Sequence, residues 1–234
     1  MKPILVLRHI ACEGLGYLGT LLEQKQIPYE MLHIDENQSL PTNIEAFSGL
    51  VIMGGPMSVN DDDAWIEEEC DLIRQADSLN LPVLGHCLGG QMICKALGGE
   101  ISANKVKEIG WLSVNQYHNE MAAHWFGEYQ QFDAFHWHGE TFSLPDGATP
   151  LLHSANCQNQ AFVKGSLLAL QCHLEITAEQ VPVWADEYAH EIEQPTATIQ
   201  SKQQMTENLE HRVTSLQQVA NHFYQQWLAC LPTT

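Results

Sequence analysis

The stretch Gly85-His86-Cys87-Leu88-Gly89-Gly90-Gln91 combines a nucleophile with the residues needed to expose it. It follows the apolar run Pro82–Gly85 and precedes a helical pattern. Gly-x-nucleophile-x-Gly in that setting is the sharp strand-to-helix turn that lifts a side chain above a sheet. Glycines beside the turn permit a strained backbone and close packing. A helix N-terminus next to Cys87 favours the thiolate, the attacking species. The pattern by itself fits a buried structural cysteine equally well, because free Cys commonly behaves as a small core hydrophobe.

A cysteine nucleophile needs a base, and the chain offers 12 His. His173 stands apart because it follows the apolar run Leu167–Cys172 and precedes Glu175 by two residues. If the strand persists, residues two apart share a face. Glu175 would then orient the His173 imidazole and stabilise its charged form, as the third member of a triad does. His-x-Glu near a strand end also arises by chance, so the pair acquires meaning only with Cys87.

Elements able to position these groups are readable. Ile4–Leu7, Tyr29–Ile34, Leu50–Met53 and Pro82–Gly85 read as strands, alternating with helical patterns over Gly14–Lys25, Trp65–Leu79 and Leu88–Leu97. Wholly apolar strand cores alternating with helices imply a buried parallel sheet covered on both faces. Ile109–Tyr117, Phe132–His138, Thr149–Ser154, Gln160–Val163 and Leu167–Cys172 add strands with few helical signals between them. Thr177 reads as an N-cap for a helix over Ala178–Glu193. Gln194–Gln204 reads as a polar connector. Leu209, Val213, Leu216, Val219, Ala220, Phe223 and Trp227 make an amphipathic C-terminal helix that packs on its own domain, a dimer contact being the alternative.

Taken in order, Gly54-Gly55-Pro56, the Gly85–Gln91 turn and Gln171-Cys172-His173-Leu174-Glu175 resemble the motifs of class I, triad-type glutamine amidotransferases. The chain also resembles the stand-alone, GMP-synthase-like members. These show counterparts of Gly54–Asp61, Glu108-Ile109-Gly110-Trp111, Phe135–Glu140 and Asn159-Gln160-Ala161-Phe162. The resemblance implies a flavodoxin-like, open, mostly parallel α/β sheet with a small mixed or antiparallel β addition and C-terminal helices. It implies an amidotransferase domain over 1–180 and a helical extension over 181–234 packed on it. It implies that Cys87 attacks the glutamine carboxamide, that His173 and Glu175 serve it, and that the backbone N–H groups of Gly55 and Leu88 form the oxyanion hole. Gln91 matches the position contacting the α-amino and carboxylate end; Trp137 and His138 match a segment whose backbone lines that pocket. Departures are Trp137 where many members carry Ser, Leu174 where many carry Pro, and Cys172 where Phe is frequent. Leu174 is expected to point away from the site, whereas Trp137 bears on the shape of the γ-glutamyl pocket.

The remaining features bound the function. Ten Lys plus Arg against 29 Asp plus Glu give a net charge of −19, which disfavours nucleic acid and anionic membranes as partners. Seven Cys without a C-x-x-C suit a reducing compartment, and Cys12, Cys70, Cys94, Cys157, Cys172 and Cys230 read as structural. The N-terminal apolar run is too short for a signal peptide, so the protein is expected to be soluble and cytoplasmic. His136-x-His138 near Glu140 lacks a third metal ligand at defined spacing. Asp61-Asp62-Asp63 reads as the acidic start of the following helix. With no phosphate-binding glycine motif, no cofactor is expected. The expected function is hydrolysis of glutamine to glutamate and ammonia, with the ammonia passing to a partner, a separate synthetase subunit. The rivals are a γ-glutamyl hydrolase or peptidase acting on another γ-glutamyl small molecule, and a non-catalytic binding protein on the same scaffold.

Overall fold

The structure, a computed structural model, describes residues 1–232. Its strands are β1 (Ile4–Arg8), β2 (Tyr29–His33), β3 (Gly49–Ile52), β4 (Val83–His86), β5 (Ile101–Gln116), β6 (Gln131–Phe142), β7 (Thr149–Ser154), β8 (Ala161–Lys164) and β9 (Leu167–Leu170). They form one sheet in the order β2-β1-β3-β4-β9-β8-β7-β5-β6. The first five in that order are parallel, and the last four join antiparallel. The order 2-1-3-4-9 is the doubly wound, flavodoxin-like arrangement, which places ligands at the carboxyl ends of its strands.

Alternation along the buried strands feeds two cores. Ile4, Val6, Val51, Leu84, Leu168 and Leu170 join one cluster, while Leu5, Leu7, Leu50, Ile52, Val83, Leu167 and Ala169 join the other. The first is covered by α1 (Gly16–Gln24) and α7 (Leu209–Ala229), the second by α2 (Ala64–Ser78) and α3 (Leu88–Ala96). The stripe read on α7 is the face it buries, ending in Phe223, Tyr224 and Trp227. No helix among the described residues is long and apolar enough to cross a membrane.

Several expectations need correction. Strand β9 ends at Leu170 rather than Cys172. Beyond it the chain swings toward β6, where the His173 N–H donates to Phe135 O at 2.8 Å. The helix expected over Ala178–Glu193 is regular only over Gln180–Glu187 (α5), followed by a 3₁₀ turn at Ala189–Glu191. Tertiary bonds override local propensity here, because Tyr188 and Glu191 are both tied to the cavity wall described below. Two short helices were not anticipated. α4 (Glu120–Phe126) is capped by Asn119, whose Oδ1 accepts from Ala122 N at 2.8 Å, and α6 (Lys202–Thr206) by a Ser201–Gln204 capping box inside the expected connector. The acidic run does sit at the start of α2, with Asp63 at the N-cap position, although Asp63 makes no side-chain cap and the Asp61 carboxylate accepts from Ser58 N at 2.9 Å in the turn before it.

Helix α3 lies unusually close to the sheet. A Cβ on Gly89 would stand 2.1 Å from the Ile52 carbonyl oxygen, and one on Gly90 would stand 2.5 Å from that of Leu170. Both obstacles are backbone and cannot rotate away. Gly89→Ala therefore sets a helix-propensity gain of about 1 kcal/mol against overpacking of about 1–3 kcal/mol or more. The clash is expected to win, lowering stability by at least about 1 kcal/mol in chemical denaturation.

Candidate active site

The close approach of α3 leaves the chain one residue in which to turn from β4 into the helix. That residue is Cys87, held at φ 50° and ψ −105°. A non-glycine residue in such a conformation stores strain of order 1–3 kcal/mol and persists only where its surroundings fix it. They do: Cys87 N donates to Leu170 O at 2.8 Å, and Gln91 N donates to Cys87 O at 3.0 Å. Cys87 is 7% exposed and lines a cavity of about 360 Å³, large enough for a small ligand. Gln171 Nε2 donates to Sγ at 3.5 Å, and Sγ–H lies 3.7 Å from the Trp137 carbonyl oxygen.

His173 and Glu175 do share a site, although not through strand alternation. His173 Nδ1–H donates to Glu175 Oε1 at 2.6 Å, and both side chains are almost wholly buried. Trp184 packs edge-on against the imidazole, with ring centroids 4.8 Å apart. The other face of Glu175 meets His86, whose Nε2 lies 3.7 Å from Oε2. Burial alone would push the His173 imidazole down. The Glu175 carboxylate and the neighbouring Cys87 sulfur outweigh it and hold the imidazole well above 6.5. Burial would likewise push Glu175 up, but His86 and His173 bring its carboxyl below 4.5. No closed hydrogen bond joins His173 Nε2 to a protein group.

The other expected residues lie around the same space. Gly55, Gln91, Trp137 and His138 line the cavity with Cys87. Leu88 opens α3, and the first N–H groups of a helix have no internal acceptor. Its side chain adjoins Gly55, where a Cβ would stand 3.1 Å from Leu88 Cδ2. Gln91 is buried and donates through Nε2 to Gln171 Oε1 at 3.2 Å, so its amide is turned to Gln171. The Trp137 indole N–H donates to Glu191 Oε1 at 3.1 Å, and its ring leans on Tyr188.

The family described as glutamine amidotransferase class-I matches residues 13–182. The chain belongs to that family. It is 31% identical to a glutamine amidotransferase-like protein, YfeJ, of Salmonella typhimurium, over 74% of this chain and 75% of that one. It is 31% identical to γ-glutamyl peptidase 4 of Arabidopsis thaliana, over 57% of this chain and 55% of the plant protein. Identity to a glutamine-hydrolysing GMP synthase component of Sulfolobus acidocaldarius is 30%, over 72% of this chain and 83% of the archaeal one. Among solved structures, a glutamine amidotransferase from Methylobacillus flagellatus superposes with a TM-score of 0.96 at 37% identity, over 99% of this chain and 96% of that one.

One amidotransferase-family motif shows its purpose only in three dimensions. His138 spends both ring nitrogens, on the Glu140 carbonyl at 2.9 Å and on Glu108 Oε2 at 3.0 Å. Glu108 is therefore the third residue that the His136-x-His138 pair was expected to lack, and the three offer ligand atoms within 4.8 Å of one another. Glu108, however, also accepts from Ser154 Oγ and Gln160 Nε2, each at 2.7 Å. Burial pushes its carboxyl up, yet the His138 bond and the facing imidazoles outweigh that and bring it to about 2. His136 is kept neutral by burial, down to about 3, and bonds the Leu112 carbonyl. A carboxylate filled by protein donors is a clamp on β6, not an open metal site. Glu140 belongs elsewhere, accepting from Ser58 Oγ.

Sequence reasoning missed Gln171 as the amide between Gln91 and Cys87, and Glu13, Tyr188 and Glu191 as cavity residues. Gln171 was within reach, being part of the motif around His173. The other three lie on a loop and a broken helix, with no periodic signature.

The His173–Glu175 pair sets a pH dependence of stability. Folding raises the His173 pKa above 6.5, so its contribution is complete below that pH and is lost as pH climbs through the raised value. Glu175 is lowered from 4.5, so its contribution is complete above that pH and is lost as pH falls through the lowered value. Glu175→Gln is expected to cost about 3 kcal/mol. Denaturation midpoints measured across acidic and neutral pH should show the largest deficit between the two ordinary values, with the deficit shrinking at lower pH.

Proposed function

We propose that the protein hydrolyses the side-chain amide of glutamine to glutamate and ammonia, using Cys87 as nucleophile, His173 as acid and base, and Glu175 as the group that orients His173. The observation that carries this reading is the strained Cys87 on the cavity wall with the buried His173–Glu175 pair behind it, close enough for the Cys87 sulfur to act on the His173 imidazole. Family membership and the similarity to other amidotransferases support it.

In the proposed cycle the Cys87 thiolate attacks the carboxamide carbon. The developing oxyanion accepts from the backbone N–H groups of Gly55 and Leu88, aimed beforehand at the place where charge appears. The His173 imidazolium gives its proton to the leaving nitrogen, releasing ammonia and leaving a glutamyl thioester. Water then attacks that carbonyl while His173 takes the water proton, and glutamate departs with the Cys87 sulfur restored. Gln91 and the Trp137–His138 backbone hold the amino-acid end of the substrate. Because Gln91 is bonded to Gln171, substrate would have to compete for that amide. Residues 1–180 would form the catalytic domain and 181–234 a helical extension on it. The similarity to the Sulfolobus GMP synthase component supports a separate synthetase as consumer of the ammonia, a reaction we assign to the cytoplasm.

A second reading keeps the machinery and changes the leaving group. The similarity to a γ-glutamyl peptidase supports γ-glutamyl peptides as substrates, and the bond broken differs only in its amine. The experiment is a panel of glutamine and γ-glutamyl dipeptides ranked by kcat/KM, with Cys87→Ala as control. The expected result is release of glutamate and ammonia from glutamine, with glutamine the best substrate and kcat falling by roughly 10⁴-fold or more in Cys87→Ala. A clear preference for a dipeptide would replace the first reading by the second. Absence of Cys87-dependent turnover on every member would leave a binding protein.

A further inference from the structure

The cavity contains a carboxylate that the proposed cycle does not use. Glu13 lies on the loop between β1 and α1, is almost wholly buried, and lines the cavity. Its Oε1 accepts from the Tyr188 hydroxyl at 2.8 Å. The loop is held from both sides. Glu13 N donates to Ile10 O at 3.2 Å, the Trp184 indole N–H donates to Cys12 O at 2.9 Å, and Tyr17 N donates to Glu175 O at 2.7 Å. Trp184 is also the ring that packs against His173, so one side chain fixes both the loop and the imidazole.

Gly54 shows where the carboxylate points. A Cβ on Gly54 would stand 2.1 Å from Glu13 Oε2 and 3.3 Å from His173 Cε1. The carboxylate oxygen therefore fills the place a side chain at residue 54 would take, with the imidazole edge beside it, an approach possible only because residue 54 is glycine. His173 Nδ1 is taken by Glu175, so the edge running from Cε1 to Nε2 is the one that can hand a proton to a leaving nitrogen. Glu13 borders the leaving-group side of the reaction. No Lys or Arg meets it there. Burial raises its carboxyl above 4.5, with Glu175 acting the same way and His173, Tyr188 and His9 acting against it. The other acids of the cavity are engaged, Glu191 by Lys107 and the Trp137 indole, and Glu140 by Ser58.

We infer that Glu13, oriented by Tyr188, is a specificity-determining residue that selects the leaving amine by charge, admitting neutral and cationic amines and opposing those that carry a carboxylate. The inference rests on the proposed γ-glutamyl amide hydrolysis and narrows its substrate class. Ammonia passes such a gate; the carboxylate of an amino acid released from a dipeptide meets a like charge in a poorly solvated space, which costs several-fold to many-fold in affinity.

Three amides that share the γ-glutamyl group and differ only in leaving-group charge test this. They are γ-glutamylglycine, γ-glutamylglycinamide and the γ-glutamyl amide of 1,2-diaminoethane, compared by kcat/KM at mildly alkaline pH. In the natural protein the anionic leaving group should be the poorest and the cationic one the best. Glu13→Gln should reduce the cationic-to-anionic ratio by about tenfold or more, as expected for removing a like-charge juxtaposition. Tyr188→Phe, which frees the carboxylate without removing it, should shift the ratio the same way by less. That variant also carries the test if Glu13→Gln does not fold. A merely structural Glu13 would lower all three substrates together, so an unchanged ratio in both variants overturns the inference while leaving the proposed hydrolysis intact. Failure of the natural protein to cleave any of the three or glutamine would overturn the proposed hydrolysis and this inference together.

Discussion

The structure depends on how closely α3 can approach the sheet. Backbone atoms of Ile52 and Leu170 occupy the places where side chains of Gly89 and Gly90 would be. Gly85 is part of the same contact, since a Cβ there would stand 2.3 Å from the Gly89 carbonyl. With the helix this near, an ordinary turn cannot connect β4 to α3, and Cys87 takes up the difference at positive φ. The same approach lets Cys87 N bond Leu170 O. That bond ties the turn to the end of β9, from which the chain departs to place His173. One packing constraint therefore exposes the thiol and fixes the origin of the segment that carries the imidazole. Hydrophobic burial elsewhere supplies the stability that holds the strained residue in place.

Around that turn the protein buries several carboxylates and has few Lys or Arg with which to match them. Histidine takes their place. His173 pairs with Glu175, His138 with Glu108, and His9 with Glu69 at 2.9 Å, each pair almost wholly buried. His86 approaches Glu175 from behind. Burying such pairs gains little net stability, because desolvation offsets the attraction. They do resist the loss of one partner, and they confine each ring to one orientation. His9 illustrates the structural use. It spans from the end of β1 to α2, and a Cβ on Gly55 would stand 3.0 Å from its own Cβ, so it backs the loop that borders Cys87. The strongly acidic surface and the histidine-rich interior are two sides of one composition.

The alternating strands and helices of the first hundred residues were legible because β1, β3 and β4 are buried on both faces and α1 and α2 on one. The Gly85–Gln91 turn was legible because its glycines are dictated by backbone contacts that tolerate nothing larger. His173-x-Glu175 was legible for an incomplete reason: strand alternation does not operate beyond Leu170, and a bridge to Phe135 brings the residues in instead. Glu13 and Tyr188 were not legible. They lie 175 residues apart, and neither position follows a repeat, so their meeting is a product of the finished fold. The break in the helix at Tyr188 has the same origin. Local propensity favoured continuation, and bonds across the cavity decided otherwise. The Ser201–Gln204 box was readable from spacing and was hidden by the polar composition around it.

The C-terminal helix shows how far the site extends beyond the residues that would touch substrate. Tyr224 is fully buried on α7, and its hydroxyl meets His86 Nε2 at 2.9 Å. Burial pushes the His86 pKa below 6.5, and the Glu175 carboxylate it leans on works the other way. A line of contacts runs from α7 through Tyr224, His86 and Glu175 to His173. Each member is buried, so none of these polar groups can turn to water if its neighbour is lost. The apolar stripe of α7 drives the helix onto the sheet by burying Val213, Leu216, Val219, Phe223 and Trp227, each worth about 1.5–3 kcal/mol. The Tyr224 hydroxyl gives that packing a polar end. Helix α7 is thereby more than a cover for one face of the sheet. Its docking fixes the back of the carboxylate that orients the imidazole, and the packing of the tail is coupled to the electrostatics of the candidate active site.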